Sequence, residues 1–145
     1  MSAASKEERR RPRLSGTAKR RVLVIDDDIE LLTFVGMILE GHGYLAFLAI
    51  GAGEGLDLFD LVGPELVVMD ATLGSADSLD VCRAMTMREP DTSVVMLADS
   101  PPNAVDWQLA ADAGVTDIIE KPFDIDELLG RLARAMGPRE DQPLM

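Results

Sequence analysis

The amino-acid sequence predicts an α/β fold in which a parallel sheet is covered by helices on both faces. Segments with helical periodicity alternate with five short strand-like runs, of which four are apolar, at residues 22–25, 44–49, 66–69 and 94–97, and the fifth is TDII at 116–119. These runs do not alternate apolar with polar residues, which is typical of strands buried on both sides of a parallel sheet. Strands and helices that alternate along one chain favour repeated β–α units, of which this chain has five.

Residues suited to helix ends support this division of the chain. Asp28 is expected to be the N-cap of the first helix, because its carboxylate can accept backbone N–H groups of the first turn. Asp124 is expected to cap the last helix, with Glu127 three residues later as in a capping box. Trp107 shares a predicted stripe with Ala110 on the fourth helix and is therefore expected to pack into the core.

The charge of the chain is unevenly divided between its beginning and the remainder. Residues 1–21 carry a net charge of +6, whereas the other 124 residues carry −18. Residues 1–20 combine many charges with Pro, Gly and Ser and lack apolar periodicity, which predicts a disordered basic arm. We expect a folded domain over residues 21–137 and a short tail over 138–145. So acidic a domain would repel nucleic acid, which leaves only the arm as a nucleic-acid contact.

Length and composition favour one cytoplasmic domain. The chain has 145 residues, of which 47% are hydrophobic, enough for a single sizeable core. Its one cysteine, Cys82, excludes an internal disulfide and fits a reducing compartment. The longest uncharged apolar stretch, at residues 41–53, is too short to cross a bilayer. The N-terminus also lacks the apolar part of a secretory signal.

Charged residues follow several predicted strands at the point where each strand ends. Asp26 and Asp27 come directly after the first strand, Asp70 after the third, and Lys121 after the fifth. Because the carboxyl ends of parallel strands lie at the same edge of a sheet, we expect these side chains to converge there. Carboxylates that lie so close together cannot all stay ionised without a compensating charge.

A divalent cation is the simplest compensation for this cluster. Ligands that are all oxygen atoms select a hard ion, and Mg²⁺ is the abundant one that accepts a few carboxylates together with water. The ammonium of Lys121 is a point charge suited to hold an anion such as a phosphoryl group. A carboxylate placed between a metal ion and an ammonium is suited to act as a nucleophile toward phosphorus.

Three segments carry a resemblance to a known family. VLVIDDD at residues 22–28, LVVMD at 66–70 and DIIEKPF at 117–123 occur in this order, each at a strand end. Together they resemble the receiver domain of bacterial two-component response regulators, of the stand-alone, chemotaxis type. The resemblance extends from about residue 21 to residue 136, nearly all of the predicted domain.

The resemblance implies a (βα)5 flavodoxin-like, doubly wound parallel sheet with strand order 2-1-3-4-5. It implies that Asp70 accepts phosphate from a histidine kinase or a phosphotransfer protein. Mg²⁺ would be held by Asp26, Asp27 and Asp70, with Asp27 as a direct ligand, and by the backbone carbonyl of Thr72. Lys121 would contact the acyl phosphate, and the peptide bond after it would be cis.

The chain departs from the family pattern at the two usual switch positions. Ala98 stands where a Ser or Thr normally hydrogen-bonds the phosphoryl group, and Ile118 stands where an aromatic residue is common. A hydrogen bond from a hydroxyl to a charged group contributes about 1.5–3 kcal/mol, so its loss weakens the preference for the phosphorylated conformation. Ser100 is the alternative hydroxyl nearby, and the charge of Asp99 is expected to disfavour phosphoryl binding.

Three functions follow from these observations. The first is a phosphoacceptor that signals through a partner protein and, not being an enzyme, promotes only its own phosphorylation and dephosphorylation. The second is a pseudo-receiver, an interaction module that signals without phosphorylation, which Ala98 and Ile118 favour. The third is an enzyme on the same fold, but it would need a phosphate-binding Gly, Ser or Thr loop after the first strand, where acidic residues stand instead.

Overall fold

The strands form one parallel sheet in the order β2-β1-β3-β4-β5 in the computed structural model, which describes residues 18–74 and 76–138. This is the order that the family resemblance implies, and the five predicted β–α units are confirmed. The elements along the chain are β1 Arg20–Ile25, α1 Ile29–Gly41, β2 Tyr44–Ala49, α2 Gly51–Val62, β3 Leu66–Asp70, α3 Ser78–Arg88, β4 Ser93–Ala98, α4 Ala104–Ala113, β5 Asp117–Glu120 and α5 Ile125–Met136.

The sheet separates two apolar cores, one under each layer of helices. On one side, buried side chains of β1, β3, β4 and β5 pack with those of α1 and α5. Examples are Val24, Val68 and Leu97 of the strands and Leu39 and Leu128 of the helices. On the other side, Ile25, Met69 and Met96 of the strands pack with the remaining helices, which contribute buried residues such as Phe59 and Met85. Because both faces of the strands are buried, only the strand ends can present polar groups together, and this places the site.

Acidic residues cap the first and last helices as expected. The Asp28 carboxylate accepts the N–H groups of Glu30 at 3.0 Å and Leu31 at 3.3 Å. The Asp124 carboxylate accepts the N–H of Glu127 at 2.6 Å. Asp28 is therefore engaged at a helix start, as predicted, and the residues before it are left for the cleft.

The first strand begins at Arg20, two residues before the predicted apolar run. The Arg20 Nε lies 2.6 Å from Glu65 Oε2, and its Nη1 donates to the backbone carbonyl of Gly137 at 2.7 Å. These contacts tie the beginning of the folded domain to its last helix. The predicted arm falls mainly on residues 1–17 and the predicted tail mainly on 139–145, both outside the described residues.

The expectation that Trp107 packs into the core is wrong. Its side chain is 41% exposed, and residues 104–109 are exposed as a group. The buried positions of α4 are Ala110 and Ala113. The helix contacts the sheet through small side chains in its second half, so its first turns stay in solvent.

The helices are short, between 10 and 13 residues each. A transmembrane helix needs about 20 predominantly apolar residues. Within residues 18–74 and 76–138, no helix is long and apolar enough to cross a bilayer.

On both edge strands, charged side chains bind backbone groups. On β2, the N–H of Ala46 donates to Glu40 Oε1 at 3.0 Å. On β5, Arg131 Nη2 donates to the carbonyl of Ile118 at 2.8 Å and also pairs with Asp117. Unpaired strand edges are templates for another strand, so these contacts partly cover both open sides of the sheet.

Candidate functional site

The sheet brings Asp26, Asp70 and Lys121 to one edge. Asp70 is the last residue of β3, Asp26 follows β1, and Lys121 follows β5. In the parallel register Ile25 pairs with Met69 and Ala98 pairs with Glu120, so these strands end at the same edge of the sheet. Lys121 Nζ lies 3.5 Å from Asp70 Oδ2, although the two residues are separated by β4 in the sheet. Of the side chains expected to converge, those of Asp70 and Lys121 are therefore in contact.

Both carboxylate oxygens of Asp70 have a neighbour. Oδ1 accepts the backbone N–H of Thr72 at 3.1 Å, and Oδ2 faces Lys121. The residue is only 9% exposed, which leaves a small part of it open to solvent. The buried hydroxyl of Ser78 donates to the backbone carbonyl of Asp70 at 3.1 Å. The carboxylate is thus held by an N–H of its own loop, and the backbone of Asp70 is held by the first residue of α3.

Asp26 is the most deeply buried charged residue of the site. It is 2% exposed, and its Oδ1 accepts the N–H of Asp28 at 2.8 Å. Its Oδ2 is buried and has no hydrogen-bond partner among the described residues. Burial and the nearby charge of Asp70 raise the pKa of Asp26 from 3.8 to about 6, although the Asp28 N–H and Lys121 act in the opposite direction. An anionic oxygen without a partner in such a place is costly unless a cation compensates it.

Asp27 is exposed, and two glycines lie against its carboxylate. A Cβ atom at Gly74 would lie 3.1 Å from Asp27 Oδ2, and one at Gly51 would lie 3.5 Å from Oδ1. Both glycines have positive φ angles, of 57° at Gly74 and 83° at Gly51, which L side chains rarely adopt. The absence of side chains at these two positions therefore leaves room around the Asp27 carboxylate.

The donor set fits a magnesium ion better than a softer metal. The side chains that converge offer carboxylate oxygens, which hard cations prefer. The partnerless Asp26 Oδ2 is the group that such a cation would satisfy. In the described part of the chain, no three His, Cys, Asp or Glu side chains form a ready-made metal cage.

Lys121 holds its position through both its side chain and its backbone. Its Nζ lies between Asp70 and Asp99, at 3.5 Å and 3.4 Å from their carboxylate oxygens. Burial lowers the pKa of Lys121, but Asp70, Asp26 and Asp99 together outweigh burial and raise it above its ordinary value. Its backbone N–H donates to the carbonyl of Ala98 at 2.7 Å. The peptide bond that follows it is cis, as the resemblance implies.

The two switch positions line one side of a cavity beside the site. Ala98 ends β4, and Ile118, which is buried, lies in β5. Both border a cavity of about 360 Å³ that also reaches Thr72, Ser78 and Asp99. The small side chain at position 98 leaves this space open.

Comparison with known proteins identifies the family. Residues 22–133 match the family model of the response regulator receiver domain. The chain belongs to this family. Receiver domains are modules of two-component signalling rather than classical enzymes. The site just described lies at the strand ends that carry the three resembling segments.

Known relatives are longer than this receiver domain. The DNA-binding response regulator MtrA of Mycolicibacterium smegmatis is 30% identical over 127 residues, which cover 88% of this chain and 55% of the relative. The response regulator MprA of Mycolicibacterium vanbaalenii is 34% identical over 113 residues, which cover 77% of this chain and 48% of the relative. The chain therefore spans about half the length of the curated relatives it matches.

Solved structures share the fold over most of this receiver domain. The non-phosphorylated HemR receiver domain from Leptospira biflexa has 26% identity and a TM-score of 0.76, covering 88% of this chain and all of that one. A CheY-like receiver domain protein from Methanospirillum hungatei has 24% identity and a TM-score of 0.77, covering 82% and 94%. At the lower identity, the likeness shows the fold alone.

Two features of the site were not predicted from the sequence. Ser78 directly follows Asp77, which caps α3, so a serine there reads as an ordinary helix-start residue. Its bond to Asp70 depends on how the loop over residues 71–77 returns to the sheet. Gly51 belongs to α2, and only the folded sheet places it against Asp27. The only sequence signal for this contact was that Gly51 closely follows the end of the second predicted strand.

Proposed function

We propose that the protein accepts a phosphoryl group on Asp70 from a phosphohistidine of a histidine kinase or a phosphotransfer protein. Mg²⁺ is the cofactor, and the phosphorylated form signals through a partner protein. The observation that carries this proposal is the Asp70 carboxylate, held by the Thr72 N–H on one oxygen and facing Lys121 with the other. An acid in this arrangement is anchored, partly accessible and next to a cation that can bind phosphoryl oxygens.

The transfer is an in-line displacement at phosphorus. A bond forms between an Asp70 carboxylate oxygen and phosphorus, and the bond between phosphorus and the donor imidazole nitrogen breaks. The electron pair of the broken bond stays with the imidazole, which leaves on the donor protein. Lys121 offers its ammonium to the phosphoryl oxygens, where negative charge is spread in the transition state. The Thr72 N–H keeps the carboxylate turned toward the cleft.

Three side chains and one carbonyl would hold Mg²⁺ in this proposal: Asp26, Asp27, Asp70 and the backbone carbonyl of Thr72. When bound, the ion supplies positive charge that screens the repulsion between the carboxylate and the incoming phosphoryl group. The buried Asp26 Oδ2 without a partner supports a cation at this place. Burial and, to a smaller extent, the charge of Asp70 raise the pKa of Asp26, so a cation in the cleft would stabilise its ionised form.

The test is phosphorylation of the full chain by acetyl phosphate with Mg²⁺, followed by intact-protein mass measurement. We expect the wild type to gain one phosphoryl group and Asp70→Asn to gain none. Asp57→Asn is the matched control, because it makes the same change at an exposed position of α2. A wild type that gains no mass, or an Asp70→Asn that gains as much, would remove Asp70 as the acceptor.

A second candidate function is a pseudo-receiver that binds its partner without phosphorylation. Ala98 and Ile118 favour it, because the usual hydroxyl and aromatic ring of the switch are missing at these positions. The presence of Asp26, Asp70 and Lys121 in one cleft favours phosphorylation instead. A wild type that stays unphosphorylated in the mass experiment, yet is folded, would leave this second function in place.

Output through a protein partner is part of the proposal. The relative MtrA of Mycolicibacterium smegmatis is named a DNA-binding response regulator, and the matched part covers 55% of its length. Residues 22–145 carry a net charge of −18, so this receiver domain is poorly suited to contact DNA itself. We also propose a cytoplasmic location. The chain has one cysteine and therefore no internal disulfide, which fits a reducing compartment.

A further inference from the structure

Lys121 has two anionic neighbours, and only one of them is the proposed phosphoacceptor. Its Nζ lies 3.5 Å from Asp70 Oδ2 and 3.4 Å from Asp99 Oδ1. The Asp70 side chain is 12% exposed and the Asp99 side chain 74% exposed. The lysine therefore stands between a buried acid and an acid at the mouth of the cleft.

The backbone keeps Asp99 and Lys121 opposite each other. Ala98 and Glu120 are paired in the register of β4 and β5. Asp99 directly follows β4, and Lys121 directly follows β5. The Lys121 N–H donates to the Ala98 carbonyl at 2.7 Å. Exposed ion pairs usually lose much of their benefit to side-chain freedom. Here both partners leave from backbone segments that are hydrogen-bonded to each other, which reduces that loss.

A phosphoryl group on Asp70 competes with Asp99 for the same ammonium. The lysine ammonium has three N–H donors, and the phosphoryl group adds further anionic oxygens beside Asp70. Asp99 repels these oxygens and already occupies part of the lysine's hydrogen-bonding capacity. Phosphorylation therefore places the phosphoryl oxygens and the Asp99 carboxylate in competition for the N–H donors of Lys121.

We propose that Asp99 is a positioning residue that holds Lys121 in the unphosphorylated protein and opposes phosphoryl binding at Asp70. In the resting state its carboxylate takes the place beside Lys121 that a phosphoryl oxygen takes after transfer. The inference rests on the proposed function, since it concerns the same site. It adds a residue that sets how readily the phosphorylated form is reached.

The test uses beryllofluoride, an analogue of the phosphoryl group, bound to the full chain with Mg²⁺ and followed by amide chemical shifts. We expect Asp99→Asn to bind the analogue more tightly than the wild type by about fivefold, the upper range for an exposed ion pair. Asp99→Glu keeps the charge and should bind within about twofold of the wild type. Asp57→Asn changes the net charge equally outside the site and should also match the wild type.

Measuring the affinity for the analogue at different ionic strengths separates an electrostatic role of Asp99 from a purely structural one. The gain in Asp99→Asn should shrink in high salt, because salt screens interactions between exposed charges. Equal affinity in Asp99→Asn and the wild type overturns the inference, and so does an equal gain in Asp57→Asn. Melting temperatures of all variants show that each is folded.

The experiment also separates this inference from the proposed function. A wild type that does not bind the analogue, or an Asp70→Asn that binds it as well as the wild type, refutes the phosphoacceptor function and the role of Asp99 together. A wild type that binds through Asp70, with no gain in Asp99→Asn, refutes the role of Asp99 alone.

Discussion

The hydroxyl of Ser78 donates a hydrogen bond of 3.1 Å to the backbone carbonyl of Asp70. It joins the first residue of α3 to the last residue of β3. The loop between them carries Thr72, whose N–H holds the Asp70 carboxylate. One buried hydroxyl thus closes the loop that shapes the candidate site.

Replacing this hydroxyl should affect both stability and the site. We expect Ser78→Ala to lower the free energy of unfolding by about 1–2 kcal/mol, because it leaves a carbonyl without its partner. It should also weaken Mg²⁺ binding, because the loop that carries Thr72 is less firmly held. Ser93→Ala is the matched control, since Ser93 donates to the Ala135 carbonyl at 2.7 Å from the other end of the sheet. Urea denaturation and a Mg²⁺ titration give the two readouts. Equal Mg²⁺ affinity in both variants would contradict the loop argument.

Asp27→Ala should lower the affinity for Mg²⁺. The proposed direct ligand is removed, and even partners that only support metal ligands contribute about tenfold or more to metal affinity. Amide chemical shifts during a Mg²⁺ titration measure the change. Asp28→Asn is the control, because an asparagine can still cap α1 while it removes one neighbouring charge. Unchanged affinity in Asp27→Ala would exclude it as a ligand.

The raised pKa of Asp26 predicts a pH dependence of stability in the metal-free protein. The folded protein keeps the proton up to about pH 6, whereas the unfolded chain loses it near pH 3.8. Between these values the folded state binds more protons, so Asp26 makes the free energy of unfolding fall as pH rises. At pH 7 in EDTA, Asp26→Asn should therefore be more stable than the wild type by about 3 kcal/mol.

Two conditions check this assignment. Near pH 4 the difference between Asp26→Asn and the wild type should largely disappear, since the wild-type carboxyl is then protonated in the folded state. Saturating Mg²⁺ should narrow the gap at pH 7, because a ligand that binds the folded wild type stabilises it. Parallel stability curves for the two proteins from pH 4 to pH 7.5 would show that Asp26 does not carry this effect.

The cavity beside Ala98 leaves space for a larger side chain there. Ala98→Thr supplies the missing hydroxyl, whose bond to a charged group contributes about 1.5–3 kcal/mol. This is enough to raise the population of the active form about tenfold or more. The amide shift changes of α4 on phosphorylation should therefore become larger. Ala98→Val has the same shape without the hydroxyl and should resemble the wild type. An equal effect of valine and threonine would point to packing alone.

Residues 1–17 should be removable with little change in melting temperature, because they contain no apolar stripe to bury. Loss of the Arg20 side chain should lower the melting temperature, since it pairs with Glu65 and donates to the Gly137 carbonyl. Thermal unfolding of the chain without residues 1–17 and of Arg20→Ala compares the two. A large loss of stability in the first, reduced by salt, would show that the basic segment contacts the acidic domain.

The parts of the site that strand order determines were predictable from the sequence. Asp26, Asp70 and Lys121 each follow an apolar run, and the carboxyl ends of parallel strands share one edge. Contacts that depend on the path of a loop were not predictable. The bond from Ser78 to Asp70 and the approach of Gly51 to Asp27 join residues whose spacing in the chain follows no secondary-structure period.

The burial of α4 shows a second limit of sequence patterns. Trp107 and Ala110 share a helical spacing, and the larger apolar residue was expected inside. The structure buries Ala110 and Ala113 and leaves Trp107 exposed. A helix that packs through alanines differs little in hydrophobicity from one face to another. Periodicity therefore does not indicate which face contacts the sheet.

Glu40 and Arg131 bind backbone groups on the two outer strands, and this has a consequence for the protein at high concentration. Sheets of separate molecules join most easily where a strand offers unoccupied N–H and carbonyl groups along its side. A second molecule that adds a strand next to β2 or β5 first has to displace a charged side chain. Glu40 and Arg131 therefore oppose aggregation through the strand edges. Their loss would be detected as turbidity or fibre formation before any change at the distant acidic cleft.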